Sequence, residues 1–133
     1  MEKDTGTMAS KSTTRATGLL LATLCAGLLM SSNAAAQEIP DEAMDLGESV
    51  YRSRCVVCHG EAGEGGQGPP LAINSRLGDE RMLITQVLQG TEYMQAFAFL
   101  LSDAEIAAVA TYIRNSWGND HGPVAEEQVA EMR

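Results

Sequence analysis

The stretch Cys55-Val56-Val57-Cys58-His59 decides how this chain folds. The pattern C-x-x-C-H is the attachment signal for a c-type haem. Two thiols three positions apart on one helical turn can each form a thioether with one of the two haem vinyl groups. The histidine that follows then points its imidazole at the iron. The sequence therefore predicts one covalent haem c, bound through Cys55 and Cys58, with His59 as an iron ligand.

Other interpretations of the two cysteines lack the residues they need. A structural zinc site requires four ligands, and His121 is the one further candidate in the mature chain. A thioredoxin-like redox pair requires a preceding strand and a βαβ context, which the sequence does not show. The glycine-rich stretch at residues 60–70 is no phosphate-binding loop either, since it lacks the Lys-Ser/Thr pair.

The amino-terminal part of the chain has the composition of a cleaved secretory signal. It begins with the basic residues Lys3, Lys11 and Arg15 and continues with a short apolar run at residues 18–30. An A-x-A cleavage site, Ala34-Ala35-Ala36, follows. We expect residues 1–36 to be removed and the protein to reach the periplasm. The apolar run is shorter than the roughly 20 residues that span a bilayer, so we expect no stable membrane insertion, with an uncleaved anchor as the alternative. Translation starts at Met1 or Met8.

The mature chain, residues 37–133, has 97 residues, enough for one small domain. We expect its core at about residues 44–119 and a polar tail, loosely ordered or a short surface helix, at residues 120–133. A chain this short has a thin core, so the haem should serve as core as well as cofactor.

The mature chain is strongly acidic. It holds 16 carboxylates against six arginines and no lysine, a formal net charge of −10. Nucleic acid and anionic membranes are therefore poor partners. An acidic surface favours a transient redox partner with a basic docking patch, although the charge could serve solubility alone.

The pattern of apolar residues predicts an all-α protein with four helical segments. The first covers about residues 41–58. A short segment at residues 71–77 leads into a helix at about 79–89 with Gly90 as its stop, and the last helix follows Ser102. Ser102 and Glu105 form a capping box, and a clean apolar face runs from Ile106 to Trp117.

The second axial position on the iron decides between electron transfer and ligand-binding chemistry. The candidate ligands are Met44, Met82, Met94, Met132 and His121. Met82 lies inside a predicted helix, where a methionine is usually part of the core. Met94 lies in a loop between two helices that can fold over the haem face opposite His59. We therefore expect Met94 to be the second ligand.

Four motifs in order resemble a class I cytochrome c. They are CVVCHG at the first helix, Gly68-Pro69-Pro70-Leu71, Met94 with Phe97, and the closing TYIRNSWGN. The resemblance covers about residues 44–119 and implies an all-α cytochrome c fold, with helices wrapped around one covalent haem.

The resemblance also implies specific contacts. The first and last helices should cross with Gly47 and Tyr51 packed on Val109 and Tyr112. The carbonyl of Pro69 should accept the proton on the far nitrogen of His59. One departure stands out: the family often has proline directly after the axial methionine, and here that residue is Gln95.

The function that the sequence indicates is a periplasmic, monomeric one-electron carrier with a His59/Met94 haem, working between a donor dehydrogenase or reductase and a terminal acceptor. No residue set suggests substrate turnover, so we do not expect an enzyme. Two alternatives stay open: an electron-transfer subunit of a larger dehydrogenase or oxidase, and a haem enzyme or gas-binding protein with an open sixth site.

Overall fold

The computed structural model describes residues 38–133, so the expected signal at residues 1–36 lies outside the described residues. The described chain is helical, as expected for an all-α fold. Its helices are α1 (Asp41–Arg54), α2 (Val56–His59), α3 (Glu80–Gln89), α4 (Asp103–Asn115) and α5 (Glu126–Ala130), with a 3-10 turn at Ser75–Gly78 before α3. Within this part of the chain, no helix has both the length and the apolar character required to cross a membrane.

The first predicted helix is in fact two. α1 ends at Arg54, and Cys55 separates it from α2 with a φ of −113°, wider than the usual helical value. A new turn then starts, because the Cys55 carbonyl accepts the N–H groups of Cys58 and His59 at 3.1 and 3.0 Å. The break lets His59 sink into the core while Val57 remains 81% exposed.

Local capping sets the limits of α3 and α4. The Asp79 side chain accepts the Met82 N–H at 3.0 Å and starts α3. The predicted capping box starts α4, with Glu105 N–H donating to Ser102 Oγ and Ser102 N–H donating to Glu105. These bonds satisfy amide groups that have no partner within the helix.

The end of α4 differs from the prediction. The helix stops at Asn115, and Trp117 adopts a left-handed φ of 53° instead of continuing the apolar face. In that conformation the indole ring packs against Tyr51 and Tyr112, with ring centroids 4.8 and 5.4 Å away. Aromatic packing on α1 outweighs the unfavourable backbone geometry.

Residues 120–133 form the short helix α5 and contribute to the core. Val124 and Val129 are buried in the main hydrophobic cluster. The Thr111 hydroxyl accepts the Val124 N–H at 2.9 Å, which ties the segment to α4. Core packing in the described chain therefore extends beyond residue 119.

The helices α1 and α4 approach each other closely at Gly47, where they cross. A methyl group at Gly47 would overlap the Ala108 carbonyl oxygen and lie 2.6 Å from Tyr112 Cβ. The Tyr51 ring, one turn later, lies 5.7 Å from the Tyr112 ring. Of the crossing residues implied by the resemblance, Gly47, Tyr51 and Tyr112 thus meet here, and Ala108 joins them.

We expect Gly47→Ala to destabilise the haem-loaded protein by about 1–3 kcal/mol, the usual cost of overpacking a core. The loss should appear even though alanine favours a helix over glycine by roughly 1 kcal/mol. Denaturant unfolding measures it. Gly78→Ala is the control, because a methyl group there would meet only His121 at an ordinary 3.6 Å. A Gly47→Ala protein as stable as the Gly78→Ala protein would contradict the close crossing.

Candidate functional site

The candidate site is a cavity of about 540 Å³ between the attachment segment, the loop after α2, α3 and α4. Its inner wall is apolar and includes Leu71, Leu77, Leu83, Val87, Phe97, Leu101, Val109 and Ile113. Cys55, Cys58 and His59 form one side, and Met94 lines the same cavity. A large apolar cavity with a few converging polar groups is typical of a cofactor site.

His59 is held in a defined orientation. Its Nδ1–H donates to the Pro69 carbonyl, with 2.9 Å between the heavy atoms, and a carbonyl can only accept, so Nδ1 carries the proton. Nε2 is then a lone-pair donor suited to a metal. This is the bond that the resemblance implied for Pro69.

Gly68 brings the backbone directly against the His59 ring, a role that the sequence analysis missed. A methyl group at Gly68 would lie 2.7 Å from His59 Cε1 and 2.9 Å from Nδ1. Gly68 N–H donates to the Cys58 carbonyl at 2.9 Å, and Gly65 N–H donates to the His59 carbonyl at 2.8 Å. The glycine-rich loop is therefore fixed on the attachment segment that it wraps. The sequence Gly68-Pro69-Pro70 is the signal that could have revealed this role of Gly68.

Asn119, the last residue of the closing motif TYIRNSWGN, anchors the other end of this loop, a role that the motif alone did not predict. Its buried amide donates to the carbonyls of Leu71 and Ile113 at 2.8 and 2.9 Å, and its oxygen accepts the Asn74 N–H at 2.8 Å. The loop that carries Pro69 is thus tied to α4. No local sequence pattern reveals the bonds to Leu71 and Asn74, because these residues lie 48 and 45 positions from Asn119.

The two cysteines are unpaired and half-buried in the cavity wall. Burial, and to a smaller extent the neighbouring Cys58, raises the pKa of the Cys55 thiol to about 11. Cys55 is therefore uncharged at neutral pH, and its surroundings suit a sulfur without charge, as in a thioether.

Two methionines, not one, line the cavity. Met94 lies in the loop after Gly90 and packs against the hydrophobic core. Met82, which was expected in the core, is half-buried on α3 and also faces the cavity. The other candidate sixth ligands, namely Met44, His121 and Met132, are not among the lining residues.

These residues fit a covalently attached haem: two thiols, one imidazole with a free Nε2 and an apolar cavity wall come together at one place. The family comparison agrees. Residues 42–113 match the family described as cytochrome c oxidase, cbb3-type, subunit III. The chain belongs to this cytochrome c family. Its cofactor is haem c, and Cys55 and Cys58 stand in the attachment motif.

Individual relatives support the assignment. The chain is 33% identical over 86 residues to the cbb3-type cytochrome c oxidase subunit CcoP of Azospirillum brasilense, covering 57% of this chain and 29% of the relative. It is 35% identical over 94 residues to the dihydro-heme d1 dehydrogenase of Pseudomonas aeruginosa, covering 68% and 18%. It is 33% identical over 82 residues to cytochrome c550 of the same species, covering 56% and 57%. The chain thus spans less than two thirds of each of these relatives.

A solved structure shows the same fold. Cytochrome CL from the marine methylotrophic bacterium Methylophaga aminisulfidivorans MPT superposes with a TM-score of 0.53 at 28% identity. The match covers 70% of this chain and 67% of that protein. The expected class I cytochrome c fold is thereby confirmed.

Tyr51 supports the site from α1. Its buried hydroxyl donates to the Gly60 carbonyl at 2.7 Å, directly after His59. Burial is the largest cause that raises the pKa of Tyr51 from 10.0 to about 12. The Tyr51 phenol therefore loses its proton at a higher pH in the folded protein than in the unfolded chain. Its contribution to stability is fully present below pH 10 and is lost as the pH rises towards 12.

We expect Tyr51→Phe to lower the free energy of unfolding at pH 7 by about 1 kcal/mol, through loss of this hydrogen bond. The variant should then lose less stability than the parent between pH 10 and pH 12. Denaturant unfolding at a series of pH values measures both effects. Tyr93→Phe is the control, because Tyr93 is 88% exposed. Parallel alkaline curves for parent and Tyr51→Phe would contradict the role of Tyr51.

Proposed function

We propose that this protein is a one-electron carrier whose haem iron is held by His59 and Met94. The observation that supports it best is the placement of His59 and Met94 on one cavity with an apolar wall. Within residues 38–133, none of the lining side chains is a carboxylate that could act as an acid or base on a substrate. We therefore do not propose turnover of a substrate.

The chain's residues supply what a carrier needs. When bound, the haem supplies an iron that alternates between the ferric and ferrous states. His59 would offer Nε2 to the iron, and the Pro69 carbonyl holds the His59 ring in its orientation. A thioether from Met94 would favour the ferrous state relative to a second nitrogen ligand, and this would raise the potential. The apolar wall excludes water.

The loop position supports Met94 over Met82 as the second ligand. Met82 belongs to α3, whose first turn is fixed by the Asp79 cap. Met94 lies in a connecting loop, outside any helix, where the backbone can be shaped to present the sulfur. Met94 also follows the order of motifs in the family that the chain resembles.

We expect Met94→Leu to abolish the weak far-red sulfur-to-iron absorption of the ferric protein, to lower the reduction potential and to let carbon monoxide bind to the reduced protein. The reason is that leucine fills the space of methionine without a donor atom. Visible spectroscopy and a redox titration measure these effects. Met82→Leu is the matched control and should keep the band. Loss of the band in Met82→Leu alone would overturn the assignment of Met94. Carbon monoxide binding to the parent would favour an open sixth site.

The exposed mouth of the cavity differs in charge from the rest of the surface. Its exposed lining side chains are uncharged or cationic: Arg54, Gln67, Pro69, Arg76, Gln86, Thr91, Tyr93 and Gln95. The 16 carboxylates of residues 38–133 all lie elsewhere. We propose a transient redox partner whose contact face is uncharged at its centre and basic at its edge. Distant carboxylates would then attract the partner, and the mouth would make the contact.

Two arginines test this partition of charge. Arg76 lines the mouth, whereas Arg81, on α3, is not among the lining residues. Salt at about 150 mM weakens the effect of charges that lie farther from the mouth. We therefore expect Arg76→Gln to slow oxidation of the reduced protein by ferricyanide, an anion, and Arg81→Gln to leave the rate nearly unchanged. Stopped-flow kinetics measure this, with potentials recorded to correct for driving force. Equal effects of the two substitutions would show that net charge, not the mouth, controls the encounter.

We further propose that the mature protein is a periplasmic monomer, released after Ala36. The basic start, the apolar run and the A-x-A site at residues 34–36 support export. Covalent attachment of haem c through two thiols also requires cysteines that have not already paired, and the mature sequence holds Cys55 and Cys58 alone.

A further inference from the structure

We propose that Thr91 is the positioning residue that presents Met94 to the cavity. This inference rests on the proposed ligation by Met94. Thr91 does not need to touch the iron for this role, since it acts through the backbone of the loop.

Thr91 and Met94 close a small ring of reciprocal hydrogen bonds. Thr91 N–H donates to the Met94 carbonyl at 2.7 Å. In return, the Thr91 hydroxyl oxygen accepts the Met94 N–H at 3.2 Å and the Tyr93 N–H at 3.3 Å. Both backbone groups of Met94 are therefore bound by one residue, three positions earlier.

Gly90 makes this turn possible. Its φ is +71°, a left-handed conformation that glycine adopts without strain. A methyl group at Gly90 would overlap the Met94 carbonyl oxygen and would lie 2.7 Å from the Ala96 nitrogen. The loop thus passes directly over Gly90, and Thr91 is the first side chain that can reach the turn.

The turn has little other support on its amino-terminal side. Thr91, Glu92, Tyr93 and Gln95 are all exposed, so burial does not hold the backbone there. The next backbone bond to α3 is at Phe97, whose N–H donates to the Val87 carbonyl at 2.9 Å. The residue after Met94 is Gln95, which leaves φ free, whereas proline at that place would fix it. The bonds of Thr91 supply the restriction that Gln95 does not.

A loop held in its binding conformation loses less entropy when its ligand atom binds. If Thr91 provides that restriction, its loss should make Met94 easier to displace from the iron by an added ligand. Imidazole is a suitable competitor, because it is a small nitrogen donor that occupies a sixth position.

The experiment compares imidazole affinity of the ferric holoprotein among variants. Thr91→Val keeps the shape of the side chain but removes the acceptor. We expect it to bind imidazole about tenfold more tightly than the parent, which is roughly what one or two hydrogen bonds correspond to. Thr91→Ser keeps the hydroxyl and should return the affinity to near that of the parent.

The matched control is Thr85→Val on α3. The Thr85 hydroxyl donates to the Arg81 carbonyl at 2.7 Å, and Thr85 does not line the cavity. This variant removes a threonine hydroxyl that is bonded to the backbone outside the cavity, so it should alter stability without altering imidazole affinity. A role of Thr91 in stability alone would give the same pattern as Thr85→Val.

The outcomes are distinguishable. If the parent lacks the far-red band, Met94 is not the ligand and both proposals are wrong. If the parent has the band but Thr91→Val and Thr85→Val bind imidazole equally, the role of Thr91 is wrong and the carrier function stands. If Thr91→Val does not accumulate with haem, Thr91→Ala and Thr91→Ser form the test pair, and equal imidazole affinity of these two would overturn the proposal.

Discussion

The close crossing of α1 and α4 at Gly47 is the constraint on which the rest of the structure depends. α1 leads directly into the attachment segment, so the place where it meets α4 determines where Cys55 and His59 stand. α4 in turn supplies Val109 and Ile113 to the opposite wall of the cavity. A larger residue at Gly47 would push α1 away from α4 and so displace the attachment segment that follows α1. The tight approach therefore fixes where the attachment segment stands beside the cavity.

The cavity-lining residues His59 and Met94 are held in different ways. The His59 side rests on buried bonds: the Pro69 carbonyl, the packed Gly68 backbone and the Asn119 amide. The Met94 side rests on an exposed turn closed by Thr91. Exposed backbone bonds with few apolar contacts open more readily than buried ones. The turn at Met94 should therefore open more readily than the segment around His59.

Local signals in the sequence predicted much of this arrangement. The capping box at Ser102 and the stop at Gly90 depend on residues within a few positions, and the helices that they limit stand where they were expected. The order of motifs also led to His59, Pro69 and Met94, all of which line the cavity.

Features that depend on distant contacts could not be predicted in the same way. Helical periodicity continued through Trp117, yet packing on Tyr51 of α1 favours a left-handed backbone there. The composition of residues 120–133 is polar, yet Val124 and Val129 find a place in the core. Met82 has a helical position that suits the core, and only the tertiary structure shows that it faces the cavity. In each case the partner lies far away in sequence.

The distribution of charge around the cavity suits a site that accepts an electron. A carboxylate close to the iron would stabilise the ferric state through its negative charge and so lower the potential that a methionine ligand raises. Such a group would also lose much of its hydration in an apolar cavity. Among the described residues, carboxylates are absent from the cavity lining, while Arg54 and Arg76 stand at its mouth. A chain can thus be strongly acidic, and attract a basic partner from a distance, without placing negative charge where it would oppose reduction.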